Sequence, residues 1–249
     1  MKRRRVLRAL AVAGLGAIPA GMPGAQPPAT TFAQATSGPG IPAPWQHESL
    51  PGVPANRYRI VDDDGVPMLE VLSQRSASSV FVRFEAPLRA RELAWRWRTD
   101  AWPAAASSAA VGERAGDDFS LRLYLFFDYP LARLSMADRA LLSIARSLRD
   151  PRLPAATLCY VADPRGPEGE VWPSPYTGRV RLMRLRADRS PGRWWGEDRD
   201  LHADFQRAFG GEHGPGLPAI TGVALAADTD QGGGELRSRF ADLRWRLAD

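Results

Sequence analysis

The sequence predicts a mainly β protein: an antiparallel β-sandwich of jelly-roll type with one inserted helix and one short helix. Three observations predict it. About ten short segments alternate apolar and polar residues with period two. These segments follow one another without the strand–helix–strand alternation that a parallel sheet needs. In residues 116–127, Leu121, Leu123, Leu125 and Phe127 fall on one face, and Ser120, Arg122, Tyr124 and Phe126 on the other. Bulk on both faces marks a central strand.

In chain order, residues 1–35 read as an export signal. Lys2, Arg3, Arg4, Arg5 and Arg8 form a positive start. Residues 9–20 are apolar but too short to span a bilayer of ~30 Å. The run Arg3-Arg4-Arg5-Val6-Leu7-Arg8 resembles the twin-arginine export pattern. Ala33-Gln34-Ala35 fits small-x-small cleavage, and sites ending at Ala20 and Ala25 compete with it. The composition of residues 36–44 predicts a disordered linker. Residues 45–249 are then one sandwich domain, periplasmic or secreted.

Within that domain, residues 57–61 and 67–73 are strands joined by Asp62-Asp63-Asp64-Gly65, a strong hairpin signal. Strands follow at 79–84 and 93–98. In the second, Leu93, Trp95 and Trp97 form a core face, with Arg96 and Arg98 turned outward. Residues 101–115 are a loop leading into the central strand. The pattern changes at 134–149, where Ser135 and Asp138 approach a capping box. Ala137, Leu141, Ile144, Ala145 and Leu148 make one apolar stripe, predicting a helix packed over an end or edge of the sheet. Strands resume at 156–162, 170–172 and 179–187. A short helix runs from Leu201 to Phe209 with Gly210 as its stop. Strands at 220–227 and 235–247 close the domain.

Composition excludes some functions. The net charge of +5 resides in the leader, and residues 36–249 hold 28 basic and 28 acidic side chains. A nucleic-acid-binding domain keeps a basic surplus, so none is expected as partner. Cys159 is the only cysteine, so no internal disulfide exists, and its β-prone surroundings predict a buried thiol. Three histidines without a paired spacing form no zinc motif. No phosphate-binding loop, dinucleotide fingerprint or nucleophile elbow occurs.

The motifs Leu93-Ala94-Trp95-Arg96-Trp97-Arg98 and Gly116-Asp117-Asp118-Phe119 with Arg122, Tyr124 and Phe127 carry a family resemblance. Gly192 with Trp194, then Arg199, Asp204, Phe205 and Phe209-Gly210, continue it. Gly222-Val223-Ala224 with Asp228-Thr229-Asp230 completes it. Together they resemble an uncharacterised bacterial exported family, the domain of unknown function thirty forty-seven. The chain departs from that pattern at Cys159-Tyr160-Val161 and in the length of the 134–149 insert. The resemblance implies a sandwich like those of carbohydrate-binding modules and supplies no activity.

The candidate site is a polar, aromatic end of the sandwich. Asp117, Asp118, Arg122, Arg199 and Asp204 stand at element boundaries and are expected to gather there. Tyr124, Trp172, Tyr176, Trp194 and Trp195 supply rings for stacking on a hydroxyl-rich ligand. Asp228 and Asp230 offer hard oxygens at alternate positions, so a structural calcium is the one cofactor the pattern allows. The expected role is a non-catalytic glycan- or ligand-binding envelope module. A polysaccharide hydrolase or lyase pairing Asp118 with Asp204 or Asp228 is the alternative. A purely structural envelope protein is the third reading.

Overall fold

The alternation in residues 121–127 becomes the middle strand of a seven-stranded sheet. The computed structural model of the protein describes residues 29–103, 111–148, 150–185 and 190–248. Its strands are β1 (Gly38–Pro39), β2 (Gln46–Ser49), β3 (Arg57–Asp63), β4 (Val66–Gln74), β5 (Ala77–Leu88), β6 (Ala90–Thr99) and β7 (Arg122–Phe127). Helix α1 (Met136–Leu148) follows, then β8 (Ala156–Ala162), β9 (Val171–Ser174), β10 (Thr177–Leu185) and β11 (Trp195–Asp200). Helix α2 (Leu201–His213), β12 (Ile220–Asp228) and β13 (Glu235–Leu247) complete the chain. One sheet runs β1-β3-β4-β13-β6-β11 and the other β2-β5-β12-β7-β8-β10-β9. Pairing is antiparallel except between β8 and β10, which run parallel with β9 returning beside β10.

The two sheets share one core. Leu121, Leu123, Leu125 and Phe127 meet Trp95, Trp97, Phe240 and Leu243 across the sandwich, and all are buried. Arg96 lies on the opposite face of β6 and pairs with Asp242, which is the outward arginine row the alternation predicts. The β3–β4 hairpin turns through Asp64 (φ 55°) and Gly65 (φ 80°), and the Gly65 N–H donates to Asp62 Oδ1 at 2.8 Å. Two consecutive left-handed residues match the twist of the flanking strands, which is why Asp-Gly suits this turn. At the β12 bulge, a Cβ on Gly222 would stand 2.6 Å from the Val82 carbonyl oxygen, so only glycine fits. The export signal expected at residues 1–35, apart from residues 29–35, and the end of the expected 179–187 strand lie outside the described residues.

Four expectations need correction. Residues 36–44 are not a disordered linker: β1 pairs with β3, and Ile41 packs against the core. Order even extends upstream of Ala35, where Phe32 is buried and stacked on Trp45 at 5.3 Å. The Trp245 indole N–H donates to Thr30 Oγ1 at 2.9 Å, tying the same segment to β13. Helix α2 does not stop at Gly210 but at Gly214 (φ 75°), whose N–H donates to the Gly210 carbonyl. A glycine inside a helix costs only about 1 kcal/mol, and packing of Phe205, Phe209 and His213 outweighs it. The third is an omission: the sequence assigns no strand between 187 and 201, whereas the charged residues 195–200 form β11 and pair with β6 at the sheet edge.

The fourth concerns α1. Its N-terminus is as expected, with the Asp138 N–H donating to Ser135 Oγ and the Ser135 hydroxyl donating to Asp138 Oδ2. Its orientation is reversed. Leu142 is the side chain that packs against the core, while Arg146 donates twice to the Leu153 carbonyl. The stripe Ala137, Leu141, Ile144 and Leu148 points to solvent. Hydrophobic periodicity shows which residues share a face, but not which way that face turns.

Candidate functional site

The site is on the outer face of the seven-stranded sheet, where β7 begins. Strand parity puts Leu123 and Tyr160 in the core and turns Arg122 outward beside Val161 and Ala226. An arginine there is shielded by the loop entering β7, and it needs acidic partners. Arg122 Nη2 lies 2.7 Å from Asp228 Oδ2 and 3.3 Å from Asp117 Oδ2. Its Nε donates to Asp228 Oδ1 at 3.1 Å, and its Nη2 to the Asp117 carbonyl. Asp228 also accepts the Phe119 N–H at 2.6 Å, stitching the loop to the end of β12. The Phe119 ring lies 4.5 Å from the Arg122 guanidinium and 4.9 Å from that of Arg165. Asp118 faces away and accepts the N–H groups of Gln231 and Gly232, fixing the β12–β13 turn.

One guanidinium shared by two carboxylates leaves a surplus negative charge in a shielded place. Burial pushes the Asp228 carboxyl up to about 7, against the pull of Arg122 and with a further push from Asp117. Burial likewise raises Asp118, opposed by its two backbone hydrogen bonds. The unfolded chain gives up the Asp228 proton near 3.8, whereas the folded chain keeps it up to about 7. Stability from this group is therefore complete below the lower value, falls across the window and is lost by the upper one. Unfolding titrations from pH 4 to 8 should show a declining contribution with a slope of at most about 1.4 kcal/mol per pH unit. Asp228→Asn should flatten that decline, and an unchanged profile in the variant would refute the assignment.

A second charged group continues the belt toward the sheet edge. Arg184, fully buried on β10, lies 2.9 Å from both Asp163 and Glu170 and 5.1 Å from the Trp172 ring. Arg165 pairs with Asp163 at 2.7 Å and donates to the Gly116 carbonyl. Sequence reading missed Asp163, Arg165 and Arg184. The available signal was an arginine inside an otherwise apolar strand, a position that demands an acid nearby. Beyond Trp172, Tyr176 is 55% exposed with the Arg114 guanidinium 5.2 Å from its ring centre. Partial burial raises the Tyr176 hydroxyl first. Asp117 and Asp230 add to the rise, and Arg114 and Arg122 oppose it. Tyr124, on the same face as Arg122, is also raised by burial, and Cys159 is pushed up to about 12, an inert thiol.

The structure divides the expected constellation. Asp117, Asp118, Arg122 and Tyr124 gather with Asp228, Asp230, Trp172 and Tyr176. Arg199 and Asp204 do not join them. They form a two-pronged pair (2.8 and 2.7 Å) that also accepts the Tyr160 hydroxyl at 2.9 Å. Tyr160 faces the core, so this pair is on the other side of the sheet from Arg122. Asp118 and Asp204 therefore cannot flank one substrate. Trp195 is buried and stacked on Trp102 at 5.7 Å, and Trp194 sits under Arg96 on the outer face of the six-stranded sheet. Neither belongs to a common stacking platform with Tyr176. Calcium does not fit at Asp228, because Arg122 already holds the place of a cation there, and Asp230 accepts from the Gln231 amide. Among the described residues no group of three or more His, Cys, Asp or Glu is arranged to hold a metal.

Fold and site together define a two-sheet β-sandwich protein with an ion-paired loop end. The chain belongs to the family described as Protein of unknown function (DUF3047), whose model matches residues 43–244. Comparison with curated proteins returned no match. Among solved structures, the chain is similar to the xyloglucanase domain of NopAA, a type three effector from Sinorhizobium fredii in complex with cellobiose. That likeness has 10% identity and a TM-score of 0.41, and covers 81% of this chain and 93% of the other. An endoglucanase from Rhodothermus marinus gives 12% identity and a TM-score of 0.43, covering 86% and 99%. The family 11 xylanase from Neocallimastix patriciarum gives 10% and 0.38, covering 85% and 95%. Values this low mark distant likeness and bring no activity to this chain.

Proposed function

We propose that this chain is a non-catalytic carbohydrate-binding module that works outside the cytoplasm, with its ligand seated on Tyr176. The observation that carries this is the exposed Tyr176 ring, backed by Arg114 and placed beside a belt of fixed charges. A flat ring stacks on the apolar face of a sugar, and the Arg114 guanidinium beside it is placed to donate to the sugar hydroxyls. The same belt argues against hydrolysis. Asp228 and Asp117 are committed to Arg122, and Asp118 to backbone N–H groups. A hydrolytic acid–base pair needs carboxyls that face each other across room for the scissile bond. The balanced charge beyond the leader supports a neutral ligand over nucleic acid. Among the described residues no helix is long and apolar enough to cross a membrane.

Calorimetric titration with a panel of neutral β-linked oligosaccharides tests the reading. Binding should weaken about tenfold in Tyr176→Ala, the loss of one stacked ring. Trp194→Ala, on the other sheet, should bind like wild type. A folded sample that binds no saccharide would leave a purely structural envelope protein, and release of reducing sugar would make the protein a hydrolase.

A further inference from the structure

Of the seven large apolar side chains exposed among the described residues, five lie in or just before α1: Leu131, Met136, Leu141, Ile144 and Leu148. Met136 is 87% exposed, Leu148 80%, Leu141 66% and Ile144 57%. A contiguous apolar surface of this kind marks a place where something docks. We infer that it is the seat of a second copy of this chain, joined through α1 in an antiparallel twofold pair.

Three features select this occupant. Ala137, Leu141, Ile144 and Leu148 follow one another in steps of four, three and four. That is the alternating spacing of helices that pack side by side. It also reads the same in both directions. A twofold axis midway between Leu141 and Ile144 sets each Leu141 against the partner's Ile144, and each small Ala137 against the partner's Leu148. An isologous contact requires such self-complementarity. Antiparallel alignment also sets the N-terminus of each helix, which carries Asp138, against the C-terminus of the other.

The second feature is area. Leu141, Ile144 and Leu148 expose on the order of 350 Å² per copy, so their seam buries about 700 Å² in a pair, the size of a weak contact that forms only as concentration rises. The third is the placement of charge. A helix that lies on an anionic membrane carries cations along its polar face toward the headgroups. Here Arg139 and Arg146 turn to the protein body, where they donate to the carbonyls of Ala132, Leu134 and Leu153. The stripe is bordered instead by Ala140, Ala145 and Ser147, with Asp138 beside it at the N-terminal end. The small neighbours let two helices approach closely.

Sedimentation equilibrium on the full chain at rising micromolar concentration should give a mass that doubles. Leu141→Glu with Ile144→Glu places like charges across the axis and should yield a monomer at every concentration, with an unchanged circular dichroism spectrum because both sites are exposed. Disulfide trapping reads the direction of the pair. Ala137→Cys mixed with Leu148→Cys should cross-link under mild oxidation, whereas either variant alone should not. The native Cys159 is buried and stays silent. A wild-type chain that remains monomeric at high concentration overturns the inference, as does a glutamate variant that still dimerises. Sedimentation of a monomeric wild type with phosphatidylglycerol vesicles, lost in the glutamate variant, would reassign the stripe to lipid.

Discussion

Replacing Arg122 by leucine should destabilise the folded protein by about 3–5 kcal/mol. The side chain is 5% exposed and holds Asp228 at 2.7 Å and Asp117 at 3.3 Å. Removing it leaves two shielded carboxylates facing one another without a cation. It also removes the guanidinium against the Phe119 ring and frees the loop that Asp228 stitches to β12. The penalty comes mainly from the stranded acids, so it should be relieved by neutralising them. Arg122→Leu combined with Asp117→Asn and Asp228→Asn should recover a large part of the loss. Asp228→Asn alone should cost far less than Arg122→Leu, because Arg122 keeps Asp117 and the amide oxygen can still accept from Phe119. Urea unfolding of the four proteins at pH 7 measures all of this. A loss below about 1 kcal/mol in Arg122→Leu, the value of an exposed pair, would show that the cluster is solvated.

This cluster also shows what the sequence made legible. Asp117, Asp118 and Arg122 are close together in the chain, and the alternation that follows them reads directly as a two-faced strand. Asp228 was visible only as an acid before a glycine run, and its oxygens suggested calcium. Its true partner is 106 residues away, a pairing that depends on β12 lying beside β7. Sheet order is a property of the whole fold, and no local pattern carries it. Arg199 and Asp204 failed for a related reason. Their pairing is local, but the side of the sheet they occupy follows from the parity of Tyr160 on β8. Trp194 and Trp195 are neighbours in sequence, and alternation alone sends one outward and the other into the core. Strand β11 escaped notice because Gly196-Glu197-Asp198-Arg199-Asp200 lacks apolar alternation. It pairs at an edge, and its one inward acid, Glu197, accepts from the Trp97 indole at 2.9 Å. Helix α1 was legible in extent and capping, whereas its outward-facing stripe contradicts the rule that apolar faces turn inward. Such a contradiction is expected where a surface serves a partner.

A chain that begins at Thr36 should be less stable than one that begins at Gln26 by about 3–5 kcal/mol, the cost of removing a buried phenylalanine. Phe32 is 1% exposed and stacks on Trp45 with an interplanar angle of 24°. Thr30 is equally buried and accepts the Trp245 indole N–H, so the lost segment also leaves a polar group at β13 without its partner. The Ala35 N–H donates to the Phe32 carbonyl at 2.8 Å, which shapes the turn that brings the ring inward. Sequence reading assigned residues 30–35 to the leader and residues 36–44, rich in Pro, Ala and Gly, to a linker, yet Thr30, Phe32, Ile41 and Trp45 suffice to anchor the whole stretch. Cleavage after Ala35 would discard Phe32, so we propose that processing occurs upstream, after Ala25 or Ala20. Thermal unfolding of the two chains should differ by roughly 10 °C. N-terminal sequencing of the exported form should start at Gln26 or Gly21. A mature protein that starts at Thr36 and melts at the same temperature as the longer chain would show that Phe32 and Thr30 contribute nothing to the fold.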